Sequence, residues 1–224
     1  MTRDRATFGL YALTLGAFAI GMTEFVPVGL LPEIARDLQV SIPAAGFLVT
    51  GYALGVAIGA PVFTLALSRV NRKTVLMLML VFFIAGNALA AIASSYGVLL
   101  FARILTAFNH GTFFGVGAVV AQGIVPKERS ASAIATMFLG LTVALVMGVP
   151  FGAFVGQHFG WHAPFALIAL IGVIAFLGVW LFVPSIASQQ RFLGAELRTL
   201  ASGPVLLALL TTLLGFGGVF VLFT

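Results

Sequence analysis

A chain of 224 residues that is 61% hydrophobic and only 8% charged cannot build a water-compatible surface, because soluble domains carry about 25% charged residues. Lipid must cover much of the molecule, as a mean hydropathy of +1.19 also requires. The formal charge of +5 suggests nucleic acid until its residues are placed on the chain, where they mark loops; with no cysteine, disulfide frameworks and thiolate metal sites are excluded. No metal, cofactor or nucleic-acid partner is expected.

A membrane span needs about 20 mostly apolar residues. The first is predicted at 8–31, after Arg3 and Arg5. Its apolar run is longer than a signal-peptide core and no small-residue cleavage site follows, so it reads as a retained span. Further spans are predicted at 44–67, 74–93, 97–125, 130–156 and 163–184, with a seventh beginning near 204. The interruptions LPEIARDLQVSIP, SRVNRK, SSY, VPKERS and QHFGWH are short. The longest, SIASQQRFLGAELRTLASG, spaces Phe192, Leu193, Leu197 and Leu200 as an interfacial helix lying on the membrane surface would. The expected organisation is a six-span domain over 1–185, a cytoplasmic linker over 186–203 and the start of a C-terminal domain over 204–224.

Basic residues orient the chain. With a cytoplasmic N-terminus, that side collects Arg3, Arg5, Arg69, Arg72, Lys73, Lys127, Arg129, Arg191 and Arg198, and the opposite side only Arg36. The positive-inside rule then places the N-terminus in the cytoplasm. The chain ends at GFGGVFVLFT, inside an apolar run, so the seventh span lacks a far end. A fragment of a longer protein is the expected reading, with a truncated gene as the alternative.

An internal repeat is visible. GYALGVAIGAP runs from Gly51 through Gly55 and Gly59 to Pro61, and GLTVALVMGVP from Gly140 through Ala144 and Gly148 to Pro150, displaced by 89 residues. Ala-Phe-x-x-Gly recurs at 17–21 and 107–111, displaced by 90. The loops SRVNRK and QHFGWH match in length but fall on opposite membrane faces. The fold expected is an all-α membrane bundle of six helices, built as two inverted three-helix repeats, with a partial seventh span.

The fifth span carries Gly140, Ala144, Gly148, Gly152 and Gly156, one small residue every fourth position. Such a stripe lets another helix approach closely, and Pro150 frees a carbonyl and permits a bend. Simple helix packing and a sliding contact both fit it. Glu24 is the one carboxylate inside a predicted span, and a charge there normally faces a cavity or a partner. Arg103 lies in the fourth span, and both residues are about seven positions from the outer ends of their helices, or about 10 Å at 1.5 Å per residue. They are expected to be able to face one another. Arg103, Thr106, Ala107 and His110 share one face of the fourth helix by their spacing, and Asn109 joins this candidate set.

A structural ion pair and a proton or substrate site are the two readings. Burial penalises an ionised Glu24 and a nearby Arg103 favours it. That competition would let the carboxylate load and release a proton as access alternates. His110 taken alone also fits a hydrogen-bonded packing residue, while His158 and His162 are expected in solvent.

These residues resemble the major facilitator superfamily, and within it the bacterial twelve-span drug:proton antiporters of the arabinose-efflux-permease-like and sugar-efflux branch. GMTEFVPVGLLPEIARDL, SIPAAGFLVTGYALGVAIGAP, ARILTAFNHGTFFG and MGVPFGAFVGQHFGWHAPF carry the resemblance. TLALSRVNRKTVLM stands in place of the loop motif between spans two and three. Arg69, Arg72 and Lys73 match its basic positions, whereas Thr64, Ser68 and Asn71 replace glycine, aspartate and glycine. Arg103 matches the arginine associated with proton coupling, followed by Thr106 and Ala107 rather than glutamine and glycine. Gly148, Pro150 and Gly152 match a loosened antiporter motif, and His162 replaces an arginine.

The resemblance implies a multi-pass protein of the bacterial inner membrane. It would be a proton-driven exporter of small molecules such as drugs, sugars or nucleosides, with substrate held between this half and a missing C-terminal half. The alternative is a truncated, non-transporting partner subunit. A retinal pump would need a lysine deep in a span, yet Lys73 and Lys127 are both in loops. With no H-E-x-x-H and no paired intramembrane aspartates, intramembrane proteolysis has no residues to work with, so the protein is not expected to be an enzyme.

Overall fold

The computed structural model describes residues 3–187 and 202–221. Every regular element among them is helical. Residues up to Ser188 form one compact unit and those from Gln189 a second.

In the first unit, six helical spans are long and apolar enough to cross a membrane. Span one runs as α1 (Arg3–Phe25), a 3-10 turn (Val26–Leu30) and α2 (Leu31–Asp37). Spans two, three and four are the single helices α3 (Ile42–Ala66), α4 (Arg72–Ala91) and α5 (Tyr96–Gly123). Span five is α6 (Ser130–Val143), a π-helical turn (Ala144–Gly148) and α7 (Val149–Phe159), and span six is α8 (His162–Phe182). Side chains close the helix starts as the sequence demands: Ser41 Oγ accepts from the Ala44 amide at 3.2 Å, and Asn71 Oδ1 from the Lys73 amide at 3.0 Å.

One boundary corrects the expectation. LPEIARD is helix rather than loop, because Pro32 suits a first turn and Glu33 and Arg36 oppose the helix dipole at its two ends. Ile34 and Ala35 bury its inner face. The helix stops where Gln39 turns left-handed at φ 53° and the Val40 amide bonds the Ala35 carbonyl at 3.0 Å. Span five, where Pro150 is expected to permit a bend, contains a π turn. Pro150 has no amide hydrogen to give, and the Val149 amide instead bonds five residues back to Ala144. Pro61 produces no such turn, and α3 stays α-helical through it.

Span two packs on span four and span five on span one; spans three and six pack on four and one respectively, and on each other. Exchanging spans one, two and three with four, five and six maps each of these pairs onto another or onto itself. The match extends to atoms. A Cβ placed on Gly59 would lie 2.7 Å from the Phe108 ring, and one on Gly148 would lie 3.2 Å from the Phe18 ring. Those residues are displaced by the same 89 and 90 positions as the sequence repeat. Along the span five seam, Gly140 abuts the Thr14 carbonyl, Gly152 abuts Val26 and Gly156 abuts Leu30. Where the spans meet, Leu13, Ile20, Met79, Phe83, Phe113 and Phe165 form the buried core.

The second unit contributes α9 (Gly203–Val221), an apolar helix where a seventh span is expected. Its Thr211 and Thr212 hydroxyls donate to carbonyls four residues back, at 2.8 and 2.9 Å, so they leave no polar group bare. The interfacial helix expected from Phe192, Leu193, Leu197 and Leu200 lies outside the described residues.

Candidate functional site

Buried polar residues of spans one, two, three and four converge near the C-terminal end of α1. Arg103 is 1% exposed and its guanidinium donates from Nη1 to the Thr23 carbonyl. The same guanidinium lies over the Tyr52 ring, 4.3 Å from its centroid, a cation–π contact that desolvation strengthens. Thr23 in turn donates its hydroxyl to Asn87 Oδ1 at 2.6 Å, and Asn87 Nδ2 donates to the Phe83 carbonyl at 2.9 Å. The chain of contacts from Arg103 through Thr23 to Asn87 thus joins spans four, one and three in a buried layer.

Glu24 stands beside this layer, one residue from the end of α1. The matched depth expected for Glu24 and Arg103 is present, since Arg103 reaches the carbonyl of the residue just before Glu24. A direct ion pair is not: among the described residues the ionisable side chain close to the Glu24 carboxylate is His110, Oε2 to Nδ1 at 3.9 Å, and it is charged only when protonated. The reason is geometric. Tyr52 occupies the space over the guanidinium and the α1 backbone takes its hydrogen bond. The same Nδ1 of His110 lies 3.0 Å from the Tyr52 hydroxyl, and the His110 ring packs against Phe114 at 5.1 Å. The side chains of Glu24 and His110 keep 19% and 17% exposure, whereas Thr23, Tyr52, Asn87 and Arg103 are buried.

The expected stripe on the fourth helix is divided. Thr106 donates its hydroxyl to the Ala102 carbonyl at 2.8 Å and packs against Gly86 of span three. Ala107 meets Gly55 of span two. Neither shares the Glu24 opening. Asn109 is fully buried, and its amide oxygen and nitrogen have no hydrogen-bond partner among the described residues; the same is true of Arg103 Nε and Nη2. The sequence reading missed Tyr52, Thr23 and Asn87. Asn87 was detectable as the polar residue in the middle of span three, and Tyr52 as the hydroxyl inside the repeated glycine stripe.

At the end carrying the basic loop, Lys73 Nζ donates to the Trp180 carbonyl at 2.6 Å and Arg5 Nη2 to the Leu181 carbonyl at 3.1 Å. Two cations from other helices thereby cap the C-terminus of α8, which has no basic residue in its last turn. Asn71 Nδ2 donates to Ser185 Oγ at 2.8 Å, and the Arg72 amide to the Ile186 carbonyl at 3.1 Å. The loop therefore fastens the exit of span six. Ser68 and Arg69 are exposed on it.

At the opposite end, Trp161 Nε1 donates to Asp37 Oδ2 at 2.8 Å, and His162 Nε2 pairs with the Ala93 carbonyl at 3.0 Å. His158 is exposed as expected; His162 is not in solvent, because its ring stacks on Trp161 at 3.5 Å. Gly160, with φ 86°, supplies the turn between them that a side chain would strain. The hinge candidates Gly51, Gly55, Gly59, Gly140, Gly148, Gly152 and Gly156 all sit at helix contacts, between spans two and four or spans five and one.

Residues 13–224 match the family described as Major Facilitator Superfamily. The chain is 48% identical over 221 residues to the inner membrane transport protein YdhP of Escherichia coli (strain K12), covering 98% of this chain and 57% of that protein. It is 33% identical over 207 residues to a probable sugar efflux transporter of Pasteurella multocida (strain Pm70), covering 92% of this chain and 51% of that one. The chain thus spans about half the length of the relatives it matches. Among solved structures, a bacterial homolog of the human lysosomal transporter Spinster, inward-facing and unoccupied, aligns with TM-score 0.68 at 22% identity. That alignment covers 86% of this chain and 46% of that one, and it supports the six-span fold.

Proposed function

The chain belongs to the major facilitator superfamily, and we propose that it forms the N-terminal half of a secondary transporter that exports small molecules in exchange for protons. The observation that carries this reading is the Glu24 carboxylate. It sits near the end of α1 with 19% exposure, beside a layer of polar groups that are buried. An ionisable group held at membrane depth normally faces a pathway, and this one keeps an opening toward it.

In the proposed cycle, Glu24 takes a proton while the site is open to the outside and gives it up when the site opens to the cytoplasm. Arg103 does not travel with the proton. Its contacts to Thr23 and Tyr52 keep a fixed positive charge behind the carboxylate, which stabilises the deprotonated state. The glycine seams between spans one and five and between spans two and four let helices slide without interlocking side chains. Substrate binds near the midplane, against a second six-span half that the longer relatives suggest. The name of the Pasteurella relative puts sugars first among candidates, with drugs and nucleosides next. The excess of Lys and Arg on one side favours a cytoplasmic N-terminus in a bacterial inner membrane.

The test is transport in vesicles bearing the full-length protein and an imposed proton gradient. Gradient-driven movement of a sugar, drug or nucleoside, lost in Glu24→Gln, is the expected result. Equal movement by wild type and Glu24→Gln removes Glu24 from coupling.

A further inference from the structure

We propose that His110 is a second proton-carrying group of this site, bonded to Tyr52 when neutral and to Glu24 when protonated. The proposal rests on the reading of Glu24 as a proton site and adds a partner to it.

The geometry turns on one atom. His110 Nδ1 lies 3.0 Å from the Tyr52 hydroxyl and 3.9 Å from Glu24 Oε2. A ring nitrogen carries a lone pair or a hydrogen, never both. With a lone pair, Nδ1 accepts from the Tyr52 hydroxyl and has nothing to offer a carboxylate oxygen. The 3.9 Å separation fits that state, since a hydrogen bond between nitrogen and oxygen closes to about 3 Å. With a hydrogen, Nδ1 can no longer accept from Tyr52. Its charge and its N–H then favour the carboxylate, about 1 Å nearer than in this structure.

Tyr52 cannot follow the imidazole, because the Arg103 guanidinium covers its ring. The His110 ring keeps 17% exposure and meets Tyr52 edge-on and Phe114 at a tilt, so the proposed exchange moves the imidazole. The contact is therefore an exchange of partners.

The groups that bear on this exchange are few. Span one presents Glu24, span two presents Tyr52, and the helix of His110 itself presents Arg103 one and a half to two turns away. Span three carries its charges, Arg72 and Lys73, in the first turn at its far end; span five carries Lys127, Glu128 and Arg129 in the 3-10 turn before α6 and His158 in its last turn. In the step itself, the O–H of a protonated Glu24 breaks and an N–H forms on His110 Nδ1. A neutral pair becomes a carboxylate and an imidazolium, and the Tyr52 hydroxyl turns its hydrogen away. No other reactant enters. One proton thus has two resting places, on span one or on span four, and its position decides whether these two spans are bound to each other across the opening.

The experiment is nitrogen-15 NMR of the full-length protein in lipid nanodiscs, with labelled histidine and the His110 signals assigned by their loss in His110→Gln. At alkaline pH, Nδ1 is expected to be an unprotonated acceptor. At the pH where His110 is half protonated, Glu24→Gln lowers the ratio of protonated to neutral ring about fivefold and Tyr52→Phe raises it about fivefold, the weight of one net hydrogen bond. Glu24→Asp, which keeps the charge but draws it back, lowers the ratio less than Glu24→Gln and serves if the latter misfolds. A ratio unmoved by either substitution, or a hydrogen on Nδ1 of the neutral ring, overturns the proposal. Vesicle transport separates the two readings. Shifts in the ratio without gradient-driven export leave the exchange standing and sink the coupling; coupled export with unmoved ratios sinks the exchange alone.

Discussion

The two three-span repeats pack alike and differ in what they bury. Gly59 against Phe108 and Gly148 against Phe18 are the same contact made twice. At the 90-residue displacement, however, Arg103 corresponds to Leu13 and Glu24 to Phe114, both apolar and both buried. His110 corresponds to Ile20. Packing follows the repeat because close helix approach depends on small residues at fixed spacing, which either orientation satisfies. Polarity departs from it, and a second charge buried in the bundle would add desolvation cost. The site is where the symmetry of the bundle is broken.

Restoring that symmetry is the severest test. Arg103→Leu installs the residue of the other repeat. It removes a charge-assisted bond worth about 1.5–3 kcal/mol along with the cation over Tyr52. Thermal melting of the full-length protein should fall accordingly, and export should drop at least tenfold. Glu24→Gln comes next and separates function from packing: gradient-driven export is lost, while melting changes by less than about 0.5 kcal/mol, as for a partly exposed position with no cap or core role. Unchanged export in either variant would mean that the broken symmetry is incidental.

Packing predictions are smaller and equal on the two seams. Gly59→Val pushes a branched side chain into Phe108 and Gly148→Val into Met22 and Phe18 of the facing span, and overpacking costs about 1–3 kcal/mol. Melting curves that differ strongly between the two would show that the seams are not equivalent. The least effect is expected at Asn109, whose amide is buried without a partner. Asn109→Leu should be neutral or stabilising by about 1 kcal/mol, since nothing is left unpaired by the change.

The bundle was legible because apolar runs, glycine spacing and the placement of Lys and Arg all act over many residues. The convergence of Glu24 and Arg103 at one depth was legible for the same reason, from helix rise alone. What escaped was set by single side chains. Tyr52 interposes itself over Arg103, and only coordinates place a ring from span two between residues of spans one and four. Thr106 shares a helical face with His110 by count, yet its hydroxyl satisfies its own backbone and packs on Gly86. The π turn before Pro150 was hidden because Pro61, in the equivalent place, leaves its helix unbroken.

The proposed loss of the Glu24 proton when the site opens to the cytoplasm, the side from which an exported substrate would enter, has a direct readout. Purified full-length protein in unbuffered solution, with a pH-sensitive dye, measures this without any gradient. On saturation with a transported substrate, the wild type should release about one proton per protein at a pH where Glu24 carries its proton, and Glu24→Gln should release none while still binding. Equal release from the two proteins would contradict the account.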